Sequence, residues 1–66
     1  MHEILEGIKN AIRAEREAQE QYRMLAEKAV DPKVKSVFAQ LMRDEEEHEK
    51  ILRFRYEAFS KLSQQK

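Results

Sequence analysis

Three polar side chains interrupt stripes that are otherwise apolar at helical spacing: Glu15 in the first half of the chain, and Glu45 with His48 in the second. An ionised carboxylate on an apolar face costs several kcal/mol unless a cation or a set of donors compensates it. Two carboxylates and an imidazole in such a setting are natural ligands for a divalent transition metal. Mixed oxygen and nitrogen donors suit iron or manganese, and suit zinc less well as a structural ion, because zinc favours closed tetrahedral sites. Glu45 and His48 are three residues apart, so on a helix they share a face and can serve one centre. Glu46 and Glu47 point well away, and Glu49 is a nearer neighbour and a minor candidate.

The elements that must carry these groups follow from how little punctuation the chain has. Gly7 is the only glycine and Pro32 the only proline, and most other residues are good helix formers. Asp31-Pro32 marks the one break: Asp is a favoured N-cap, Pro suits the first helical position, and Pro pushes its predecessor out of the helical region. The pattern predicts one domain over 1–66, with a helix over 3–30, a turn at 31 and a helix over 32–62, the tail fraying. Each helix is then roughly 40–45 Å long, and the short connection folds them into an antiparallel hairpin.

Advancing by 3.6 residues per turn from Glu15, one stripe gathers Ile4, Ile8, Ala11, Ile12, Ala18, Tyr22, Leu25, Ala26, Ala29 and Val30. From Glu45 the second stripe gathers Val34, Val37, Phe38, Leu41, Met42, Leu52, Tyr56 and Phe59, with His48 among them. A break near residue 31 brings Glu15 level with the interval between Glu45 and His48, roughly 24 Å from the turn. Both stripes are too wide for a single partner helix, so two hairpins packed face to face as a four-helix bundle is the economical arrangement. A twofold axis would double the ligand set to four carboxylates and two imidazoles. Met24 and Phe54 point away from their stripes, and Phe54 with Ile51 is a candidate contact to further subunits.

Composition narrows the function classes. Thirteen basic and thirteen acidic side chains cancel, so no global field favours nucleic acid or an anionic membrane. No apolar run approaches the roughly 20 residues that span a bilayer, and Met-His-Glu-Ile-Leu-Glu lacks the order of a signal peptide, which gives the expectation of a cytoplasmic chain. With no cysteine, a domain this small must take its extra stability from metal or from partner subunits.

The motifs resemble those of the ferritin-like di-iron proteins, most closely the rubrerythrin-type members and the half-length, encapsulin-associated ferritin-like proteins. Glu15-Arg16-Glu17-Ala18-Gln19-Glu20-Gln21-Tyr22 is similar to the family's first-helix pattern of Glu with Tyr seven residues on. Asp44-Glu45-Glu46-Glu47-His48 is similar to its second-helix pattern, Glu-x-x-His. The resemblance spans about residues 8 to 52. It implies an all-α hairpin that dimerises into a ferritin-like four-helix bundle, with Glu15 as a terminal carboxylate, Glu45 as a bridging carboxylate and His48 as the imidazole ligand. Tyr22 would be a hydrogen-bond partner to a ligand carboxylate. It also implies two Fe ions per dimer, with Mn or Zn as substitutes, and an encapsulating protein shell as a further partner. The chain departs from full-length relatives in holding one helix pair, in lacking a Cys-rich iron domain, and in having Ala18 where some rubrerythrins carry an extra Glu.

The expected activity is that of a ferroxidase-type oxidoreductase, oxidising Fe²⁺ with O₂ or H₂O₂. A rubrerythrin-like peroxide reductase with an external electron donor is the alternative within enzymes. A non-enzymatic helical oligomerisation module, with the three residues as a buried polar network, is the alternative outside them.

Overall fold

The computed structural model describes residues 1–64. They form two helices, α1 (His2–Lys28) and α2 (Pro32–Gln64), packed antiparallel as an all-α hairpin. The connection is Ala29, Val30 and Asp31. Asp31 caps α2 as its side-chain chemistry dictates, its Oδ1 accepting from the backbone N–H of Lys33 at 2.7 Å and of Val34 at 3.4 Å. The first helix ends two residues before the sequence expectation. Ala29 has already turned to an extended ψ of 129° while its N–H still bonds back to the Leu25 carbonyl, because a three-residue link is needed to reverse the chain ahead of Pro32.

That early end overturns one assignment. Val30, placed on the apolar stripe by its spacing, is 96% exposed, since helical periodicity no longer applies once the backbone is extended. At the other end, Ser63 and Gln64 belong to α2 where fraying was expected, and the rest of that tail, Gln65 and Lys66, lies outside the described residues.

Along the hairpin, Ile8, Ala11, Ile12, Ala18, Tyr22 and Ala26 of α1 are half-buried against Phe38, Leu41, Met42, Leu52, Tyr56 and Phe59 of α2. Tyr22 and Phe38 stack with ring centroids 6.4 Å apart. No described side chain is fully buried. The reason is shape: the molecule is 55 × 15 × 10 Å with a radius of gyration of 15.5 Å, whereas a compact chain of this length would have about 11 Å. Ion pairs one turn apart decorate the outward surface, among them Glu6–Lys9, Arg23 with Glu20 and Glu27, Glu47–Lys50 and Glu57–Lys61. Exposed pairs of this kind each contribute little to stability.

The two open sides of the hairpin differ. By helical winding, Ile4 and Leu25 of α1 and Val34, Val37 and Leu62 of α2 lie on one side, together with His48. All five apolar residues are substantially exposed. The other side carries a groove of about 660 Å³ lined by Lys9, Ile12, Arg13, Arg16, Glu17, Glu20, Arg53 and Tyr56. One side therefore carries exposed apolar residues toward its two ends, Leu25, Val34 and Val37 by the turn and Ile4 and Leu62 at the open end, with His48 between them, and the other is a mixed-charge surface suited to water. Phe54, on neither side, stands 70% exposed on the back of α2 with Ile51 beside it.

Candidate metal centre

Glu15 sits midway along α1 and Glu45 and His48 midway along α2, and the hairpin brings them together. Each offers a ligand atom, and these atoms all lie within 4.8 Å of one another. His48 Nδ1 is 3.5 Å from Glu15 Oε2 across the helix interface and 3.6 Å from Glu45 Oε2 on its own helix. The carboxylates are the inner members, with side chains 23% and 19% exposed, while the imidazole is 54% exposed and lies towards the apolar side.

The bonding of Glu15 decides what the cluster lacks. Its Oε2 is shielded from solvent and accepts no hydrogen bond from the described residues. A shielded carboxylate oxygen without a donor is costly, and a cation at the focus of the three groups would satisfy it. Two carboxylates and one imidazole, converging with an orphaned oxygen among them, fit a divalent transition metal as a donor set.

Glu49, the third half-buried carboxylate of this region, is differently placed. Its Oε1 accepts from Gln19 Nε2 at 2.8 Å and its Oε2 from Arg53 Nε at 2.7 Å. Donation from Gln19 first, then from Arg53, holds its carboxyl below the ordinary range, with the Arg16 charge adding to the effect. Both oxygens of Glu49 are thus engaged within the chain, unlike those of the cluster. Gln19 Nε2 also reaches the main-chain carbonyl of Glu45 at 3.4 Å. The sequence reading missed Gln19, although the signal was present: it follows Glu15 by four residues as Glu49 follows Glu45, so each continues the face of a ligand candidate.

Tyr22 lies two turns from Glu15 toward the connection and packs on Phe38. The described hydrogen bonds include none from its hydroxyl to Glu15, Glu45 or His48. His2 stands in the first turn of α1, far along the rod from the cluster.

An antiparallel helical pair with carboxylates and an imidazole converging from facing helices defines a class, the all-α proteins that assemble metal-ligand sets between helices. Within it, the chain belongs to the rubrerythrin family, whose model, described as Rubrerythrin, matches residues 3–65. Neither the curated proteins nor the solved structures yield a match. The family typically binds iron, and membership together with the cluster marks this as a di-iron type of protein. No described helix is long and apolar enough to cross a membrane.

Proposed function

We propose that two copies of this chain pack through their apolar sides and that Glu15, Glu45 and His48 from each hold two Fe²⁺ ions, which the assembled site oxidises as substrate. The observation that carries the reading is the orphaned Glu15 Oε2 facing His48 Nδ1 at 3.5 Å, a shielded carboxylate oxygen that accepts no hydrogen bond from the described residues. One chain supplies two carboxylates and one imidazole, too few for two ions. The exposed position of His48 on the same side as Ile4, Leu25, Val34, Val37 and Leu62 supports a twofold arrangement, because covering those apolar residues also doubles the ligands. Gly7, Ala11, Ala14 and Ala18 wind onto that side too, small residues over which a second helix can approach closely.

Four carboxylates balance the charge of two Fe²⁺ ions. Bound iron supplies the electron transfer, each Fe²⁺ giving one electron, so that a pair reduces H₂O₂ with two protons to two waters, or O₂ with two protons to H₂O₂. The chain's own residues orient and exclude. Glu15 and Glu45 would hold the ions as carboxylate ligands, His48 would add a nitrogen donor, and Leu41 and Leu52, each one turn from a ligand on α2, would limit water around them. With no cysteine in the chain, electrons for repeated turnover come from outside, or Fe³⁺ leaves for storage in a larger assembly such as a protein shell.

Anaerobic Fe²⁺ titration followed by addition of oxidant tests this. Two ions bound per dimer and an oxo-bridged ferric absorption that rises with stoichiometric O₂ or H₂O₂ is the expected result. Ferric product that is released and accumulates favours a ferroxidase, and a centre that cycles only when an external reductant is supplied favours a peroxide reductase. Absence of binding at micromolar iron would leave only the oligomerisation module.

A further inference from the structure

Gln19 makes two side-chain hydrogen bonds that join α1 to α2. Its two acceptors, an ionised carboxylate and a main-chain carbonyl, can only accept, so the amide nitrogen must be the atom that faces α2. One of the acceptors is the backbone of Glu45, a ligand candidate, and the other is Glu49, one turn further on. Side chains on a helix lean toward its N-terminus. Gln19 therefore leans back toward Glu15 and Glu49 back toward Glu45, and the two meet across the layer that holds the ligand cluster. By winding, both lie on the side of that layer opposite His48. The cluster thus has His48 on its open flank and a hydrogen-bonded clasp on its closed one. Arg53 completes the clasp by taking the second oxygen of Glu49.

We propose that Gln19 is a positioning residue of the metal centre: by clasping Glu49 and the Glu45 carbonyl it fixes how α2 is turned and set against α1, so that Glu45 and His48 meet Glu15. The proposal rests on the reading of Glu15, Glu45 and His48 as ligands. Apolar packing alone holds two helices together but allows small sliding and rotation, because half-buried Ala, Leu and Ile contacts carry no directional preference. A pair of directed hydrogen bonds does carry one. The same clasp keeps Glu49, the nearest surplus carboxylate, bonded within the chain and out of the ligand count.

Co²⁺ titration of the full chain, read by its visible ligand-field bands, tests the clasp beside thermal melting of the metal-free chain followed by circular dichroism. Gln19→Leu keeps the bulk and removes both donors. It is expected to weaken Co²⁺ binding about tenfold, as loss of a residue that orients a ligand commonly does, and to shift the bands, beside the fall in melting temperature that loss of the Glu49 pairing brings. Glu49→Ala should do the same. Glu49→Gln keeps an acceptor for Gln19 and should bind Co²⁺ with near wild-type bands and affinity. Wild-type bands and affinity in Gln19→Leu would overturn the proposal, whether or not melting falls. So would a Glu49→Gln variant as impaired as Glu49→Ala, because Glu49 would then be acting as a ligand. That pair decides the matter on its own should Gln19→Leu fail to fold. If the wild-type chain gave no Co²⁺ bands, the ligand assignment itself would fall, a result separable from failure of the clasp.

Discussion

His48 Nδ1 lies 3.5 Å from Glu15 Oε2, a contact between residues 33 positions apart in sequence and on different helices. It falls just beyond hydrogen-bond geometry, and the oxygen involved finds no other donor. It is the relationship on which the metal reading turns.

Removing a single carboxylate should separate chemistry from fold. Glu45→Ala is expected to abolish iron binding and oxidation while far-ultraviolet circular dichroism of the metal-free chain stays near wild type, since Ala is the better helix former. Iron oxidation at the wild-type rate in this variant would mean that the site lies elsewhere.

Assembly should follow the apolar side and be linked to metal. Val37→Asp sets a charge beside Leu25 and Val34 at the turn end of that side, and should turn the dimer to monomer in sedimentation velocity and weaken metal binding with it, because a ligand that binds only the dimer stabilises the dimer. Phe54→Ser, on the back of α2, should leave dimer and metal binding intact and reduce only association beyond the dimer. A Val37→Asp chain that dimerises and binds metal normally would exclude this face.

Stability of the metal-free chain should carry a signature of Glu49. Its carboxyl is held below the ordinary range by Gln19 and then Arg53, so the folded state binds that proton less readily than the unfolded state. The resulting stabilisation is fully present above the ordinary Glu value of about 4.3 and is lost as pH falls through the depressed folded value. Melting temperatures measured from pH 7 down to pH 3 should fall less steeply in Glu49→Gln. Coincident acid limbs would show that the pairing contributes nothing measurable.

The turn should report through its cap. Asp31→Ala removes the acceptor for the Lys33 and Val34 N–H groups and should cost about 1 kcal/mol. In a chain of this size that is a drop of roughly 4–8 °C in melting temperature, with Co²⁺ bands unchanged because the cap is far from the ligands. Asp31→Asn should recover most of the loss.

The sequence by itself determined the helices and which of their faces are apolar, because helix propensity, the cap at Asp31 and the period of Ile, Leu and Ala are local properties. It also determined that Glu15 and the pair Glu45 and His48 fall at one depth, because rise per residue is constant and there is one turn to count from. Where the backbone leaves the helix, that arithmetic stops, and Val30 shows the consequence. Only the tertiary structure decided how the two stripes are rotated against each other, since periodicity defines a wide face and not the line of contact within it. That rotation leaves His48 exposed on the same side of the hairpin as Val34, Val37 and Leu62, and orphans Glu15 Oε2. It also engages both oxygens of Glu49 through Gln19 and Arg53, so that two carboxylates one turn apart on one helix, chemically identical in sequence, have different partners in space.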